Sequence, residues 1–195
     1  ERRRVGFEIL AVIGVAFLEL IGLLVLMDTE KMAMAYDLSP VQFVAKAAIF
    51  GGLAVIAMVL AIHSFDPAAK RVEAVLIAMV SGTLVLSAIF FDLMPSNGVL
   101  NSIEPMSGMY CAAAVASLSL PVTLVLCVLM AQGATTQPRR SCLLAGLAGG
   151  AFGAFVFALQ CPYTSFWYLA VWYGGGLAVI CAFSALVLPR FIRCW

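Results

Sequence analysis

Apolar residues along this chain come in long unbroken blocks, without the alternation of a half-buried strand or the one-sided stripe of a surface helix. Six blocks stand out, at 5–27, 41–63, 72–92, 109–131, 142–161 and 167–188. At about 1.5 Å of rise per residue, each block reaches about 30 Å as a helix, the depth of a hydrocarbon core. A membrane barrel would show alternating segments of about 10 residues, and these blocks do not alternate. The pattern predicts an all-α polytopic membrane protein of six transmembrane helices, forming a single domain over 1–195. Ser39-Pro40 suits a helix entrance, and Pro121 inside the fourth block predicts a bend there.

Composition agrees with the pattern. The chain is 64% hydrophobic and only 11% charged, too apolar for a water-exposed fold. The first block is too long for a signal-peptide core and lacks a small-residue cleavage site. A net charge of +1 gives no general attraction to nucleic acid, so none is expected as a partner. The placement of the charges is more informative. Arg2, Arg3, Arg4, Lys70, Arg71, Arg139, Arg140, Arg190 and Arg193 all fall on one side of the six-span arrangement, nine of the eleven basic residues. The opposite loops hold only Lys31, and Lys46 lies within the second span. The positive-inside rule then places both termini in the cytoplasm, N-in and C-in.

The six cysteines sort by depth. Cys111 opens span four and Cys161 closes span five, both at the outer level. Cys127 and Cys142 lie toward the inner ends of those spans, Cys181 lies within span six, and Cys194 is cytoplasmic. Spans four and five share a short inner loop and so form an antiparallel hairpin. Cys111 and Cys161 are each about 20 residues from that loop, about 30 Å of helix, so their sulfurs reach the same level. Gly146, Gly149, Gly150 and Gly153 form two overlapping GxxxG spacings that allow close backbone approach. The reading from depth is a candidate thiol pair, Cys111 and Cys161, able to form a disulfide or hold a soft metal. Cys127 and Cys181 are read as small apolar filler.

Other side chains add weaker signals. Met106 and Met109 precede Cys111 at the outer face and are candidate accessory ligands, because thioether with thiolate favours soft ions such as Cu(I). Glu19 and Lys46 are intramembrane charges that adjacent helices could pair. His63 reads as a solvated interfacial residue. Trp167, Trp172 and Tyr173 read as an interfacial anchor, and Gly174–Gly176 as a contact point for a neighbouring helix. No CxxC, GxxxxGK[ST] or HExxH occurs, and there is no string of intramembrane carboxylates, so an enzyme is not expected.

The C-terminal half resembles the NrsF-type anti-sigma factors, six-span inner-membrane proteins that restrain an extracytoplasmic-function (ECF) sigma factor. The residues that carry the resemblance are "CAAAVASLSLPVTLVL" (111–126), "GA" (133–134), "AGLAGGAFGAFVFALQCP" (145–162), "WY" (172–173) and "LPRFIRCW" (188–195). Cys161, Pro162, Ser165, Trp172 and Tyr173 match the family's run after span five, and Lys46 matches an early lysine of span two. Gln160 stands where the family usually has histidine, and Tyr163-Thr164 where it has an acidic residue.

The resemblance implies that Cys111 and Cys161 sense heavy metal or oxidant outside the cytoplasm and that the partner is an ECF sigma factor on the cytoplasmic side. The family's cytoplasmic sigma-binding segment is not expected in Glu1-Arg2-Arg3-Arg4. The expectation is therefore an anti-sigma factor of a bacterial inner membrane. It would need no resident cofactor, with a soft ion such as copper as one form of signal. The alternative is a small transporter or copper-handling protein, which requires Cys127 and Cys181 to align with Cys111 along a sulfur-lined path.

Overall fold

A computed structural model describes residues 5–26, 40–64, 82, 105–131, 138–161, 163 and 165–192. Helix α1 spans Val5–Leu26, α2 Pro40–Ser64, α3 Pro105–Ala131 and α4 Pro138–Ala158. Three of these begin on proline, whose fixed φ and missing N–H suit the first helical position. A final helical run comprises α5 (Phe166–Tyr168), a π-helical turn (Leu169–Tyr173), α6 (Gly174–Leu186) and α7 (Leu188–Ile192). The expected third span, 72–92, lies outside the described residues except for Gly82.

The described residues are helical between their turns, which agrees with the all-α expectation. Among the described residues, four stretches are long and apolar enough to cross a membrane: Phe43–Ser64, Pro105–Met130, Arg139–Ala158 and Leu169–Arg190. In α1 the stretch Leu10–Gly22 is apolar but shorter. Helix α3 continues without interruption past Pro121, which is exposed and sits at the helix surface.

Helix α4 is the buried centre of the bundle, packed against α2, α3 and α6. Its four glycines are divided between two neighbours. A Cβ at Gly149 or Gly153 would collide with Thr123, Ser119 and the backbone of α3. At Gly146 or Gly150 it would collide with Ser184, Leu177 and Ile180 of α6. One GxxxG register (146 and 150) therefore receives α6, and the other (149 and 153) receives α3. The facing hydroxyls are already satisfied within their own helices: Ser119 donates to the Val115 carbonyl, Thr123 to that of Ser119 and Ser184 to that of Cys181. Each presents a small surface to a glycine without leaving a polar group unpaired.

On the other side of α4, α2 runs antiparallel to it. Ser141 donates to the Ser64 carbonyl at one end, and Lys46 reaches the turn after Ala158 at the other. Of the glycine run 174–176, only Gly176 is tightly packed, against Ala112 and Val115 of α3; Gly174 and Gly175 have open space.

Gly153→Val is expected to separate α3 from α4 and to lower stability by about 1–3 kcal/mol, the usual cost of overpacking. Gly14→Ala, where nothing lies within 4 Å of the new Cβ, is expected to change little. Thermal unfolding of the purified chain in detergent distinguishes the two, and equal effects would contradict the close-packing account.

Candidate functional site: a lysine-braced thiol pair

The end of the bundle that carries the 159–165 turn holds a second buried cluster. It contains Cys111, Val115, Phe157, Cys161, Tyr168, Leu169 and Tyr173, with Phe50 and Trp172 packed against it. Helix α4 ends at Ala158, and the chain turns with the Gln160 and Cys161 N–H groups donating to the Phe157 carbonyl. This turn tucks Cys161 inward. Cys111 and Cys161 are 5% and 4% exposed, and their thiols hydrogen-bond to each other. The two lie at the same end of the hairpin but beneath its surface, covered by the turn and the aromatic rings.

Lys46 fastens this arrangement. Its side chain is fully buried, and Nζ donates to the Cys161 carbonyl at 2.8 Å and the Tyr163 carbonyl at 2.9 Å. Nζ also lies 5.6 Å from the centroid of the Tyr173 ring. Two carbonyls of the turn after α4 thus offset the cost of burying an ammonium, and the ring face adds cation–π attraction.

The expected pairing of Lys46 with Glu19 is not formed. Lys46 is committed to the turn, while both Glu19 carboxyl oxygens are buried without a hydrogen-bond partner among the described residues. The turn after α4 offers fixed carbonyl acceptors within reach of α2, so the lysine is satisfied there without α1.

The aromatics do more than anchor an interface. Tyr168 Oη lies 3.0 Å from Cys111 Sγ, and the Tyr173 hydroxyl is buried within electrostatic reach of Cys161. Tyr173 packs against Phe50 and Phe157 with ring centroids 5.3 and 5.7 Å away. Tyr163 stacks on Tyr168 at 4.5 Å, so the residue that gives Lys46 a carbonyl also covers the Cys111 partner with its ring. Trp172 lies against Gly108, where any side chain would collide with the indole. Trp167 is half exposed, as an interfacial anchor requires.

Sequence periodicity missed the inward tyrosines. At 3.6 residues per turn, positions 168 and 173 diverge by about 140°. Here the Gly174 N–H bonds back to the Leu169 carbonyl, and this wider turn brings both rings to the thiols.

Met106 and Met109 do not join the pair. They are 85% and 63% exposed, whereas Cys111 is buried. Met109, two residues before Cys111, is about 200° away around the helix, which turns its thioether outward. Among the described residues, no group of three His, Cys, Asp or Glu is placed to hold a metal. What the site offers is two thiols, two phenols and an ammonium. Two thiols in contact can lose two electrons and two protons to form a disulfide, or give up their protons and share one soft ion.

A sulfur path through the bundle is not present among the described residues. Between Cys111 and Cys127 on α3, the buried Val115, Val122 and Leu126 fill the interior, and Cys181 lies on α6 against Gly146.

Across residues 1–195 the sequence matches the family described as "NrsF: Negative regulator of sigma F". The chain belongs to the NrsF family. That family is regulatory, not enzymatic. An 83-residue stretch is 34% identical to the "Probable anti-sigma-F factor NrsF" of Azospira oryzae, covering 43% of this chain and 39% of that protein. The chain therefore spans well under half the length of this curated NrsF relative. No solved structure matches.

Lys46→Met is expected to leave the Cys161 and Tyr163 carbonyls unsatisfied, at about 1–3 kcal/mol each, and to loosen the turn. Cys161 should then react several-fold faster with a membrane-permeant maleimide, measured by mass spectrometry of the labelled peptide. An unchanged rate would show that Lys46 does not hold the turn closed.

Proposed function

We propose that this chain is the membrane part of an anti-sigma factor that restrains an ECF sigma factor at the cytoplasmic face of a bacterial inner membrane. The proposed topology is six spans over 1–195, N-in and C-in. Support comes from the distribution of arginines and from exposed apolar residues such as Phe17, Leu18, Val55, Val128 and Val179, which suit contact with lipid. Sigma factor is the proposed partner, and membership of a family of negative regulators supports it.

The observation that carries the sensing part of the proposal is the buried contact between Cys111 and Cys161, braced by Lys46. The pair joins α3 to the turn after α4, and Lys46 ties that turn to α2. A two-electron thiol oxidant takes two electrons from the pair, two protons leave, and a disulfide forms. A soft metal ion instead displaces both thiol protons and bridges the sulfurs. Either event changes what the turn, Tyr168 and Tyr173 pack against. Helix α4 then carries the difference to the end that bears Arg139 and Arg140. The signal works only if it binds or oxidises the sigma-holding and sigma-releasing states unequally.

Allosteric couplings are typically about 1–3 kcal/mol, or about 5–150-fold in affinity. Wild-type full-length protein in nanodiscs should lose sigma affinity within that range on exposure to a thiol oxidant or to Cu(I). Cys111→Ser and Cys161→Ser should each bind sigma but show less than about a 2-fold change under the same treatment. Binding by fluorescence anisotropy, alongside a sigma-dependent transcriptional reporter, provides the test. A full response in both variants would remove the thiol pair from the mechanism, whereas absence of any sigma binding would remove the partner.

A further inference from the structure

The opposite end of the α3–α4 hairpin carries another thiol contact. Cys127 of α3 and Cys142 of α4 hydrogen-bond to each other. Both are buried, in the cluster that also holds Leu126, Leu129, Met130, Leu144 and Ala145. Cys127 lies four residues before Ala131 and Cys142 four residues after Pro138. The sulfurs are therefore about 6 Å of helix from the end of the bundle, near enough for a small ion to enter. The hairpin logic that levels Cys111 with Cys161 also levels these two, so their contact follows from the topology as well as from the side chains.

The two pairs differ in their surroundings. Cys111 and Cys161 have an ammonium and two phenols nearby, so a net negative charge on sulfur has partners. Among the described residues no charged side chain acts on Cys127 or Cys142, which sit in a hydrophobic cluster with the neutral Thr123 and Ser141 buried on the same helices. A monovalent ion bound by two thiolates would leave a buried negative charge there, and an isolated buried charge is costly. A divalent ion bound by two thiolates is neutral. Among the described residues there is no third His, Cys, Asp or Glu, so the ion taken here is one that accepts two-coordination by sulfur.

We propose that Cys127 and Cys142 form a second dithiol site, distinct from the Cys111–Cys161 pair, which takes a soft divalent cation in two-coordinate bis-thiolate form. Each bound ion displaces two thiol protons and leaves the site electrically neutral. Occupancy clamps α3 to α4 at the end opposite the braced turn. The site does not depend on sigma binding.

The test uses the full chain in detergent, with mercuric ion as the probe. In a variant carrying Cys111→Ser, Cys161→Ser, Cys181→Ser and Cys194→Ser, ultraviolet thiolate-to-mercury absorption should saturate at one ion per chain, with release of two protons. Adding Cys127→Ser should abolish that two-thiolate band and halve the proton release. Wild-type protein treated with a trivalent phenylarsenical, which bridges paired thiols, provides a measurement that does not need the multiple variant to fold. Peptide mapping should find Cys127 joined to Cys142. A two-thiolate band that survives Cys127→Ser, no uptake by a well-folded four-serine variant, or arsenical bridging confined to Cys111 and Cys161 would each overturn the second site. Bridging at Cys127–Cys142 without bridging at Cys111–Cys161 would support it while counting against the sensing proposal.

Discussion

The buried ammonium of Lys46 is the interaction on which this end of the molecule depends. A charge so far from water needs fixed acceptors, and the turn after α4 provides them in two backbone carbonyls. By accepting from Lys46, Cys161 and Tyr163 tie the chain after α4 to a helix more than a hundred residues earlier. That tie positions the Cys161 backbone. The backbone in turn sets the thiol against Cys111, and the tyrosine rings close over both. A polar bond in an apolar bundle thus determines where the reactive groups meet.

Close packing then makes the arrangement cooperative. Helix α4 contacts α3 through one pair of glycines and α6 through another, with α2 on the opposite side. Its buried residues are enclosed by these three neighbours. The thiol-bearing turn follows directly on helix α4, whose other end bears Arg139 and Arg140.

Much of this was legible in the chain, for identifiable reasons. The apolar blocks at 5–27, 41–63, 109–131, 142–161 and 167–188 correspond to helices because block length and helix rise are simple quantities. The Cys111–Cys161 contact followed from their equal distance from one short loop, and the same counting applied to Cys127 and Cys142 would have matched them too. The Lys46–Glu19 expectation failed because charges were matched only with opposite charges, and the backbone carbonyls of a turn cannot be seen in side-chain chemistry. Tyr173 read as an interfacial residue because its partners depend on a π turn, and a local departure from 3.6 residues per turn leaves no periodic mark in the sequence.

That π turn has a mechanical consequence of its own. It stores one residue more than an α turn would, and one residue of α-helix corresponds to about 100° of rotation and about 1.5 Å of rise. Tyr168 and Tyr173 hold the surplus beside the thiols, while the helix beyond it runs on to Arg190 at the far end. Re-registering that single residue would turn the distant arginine to a different bearing, like a key rotated at its bow.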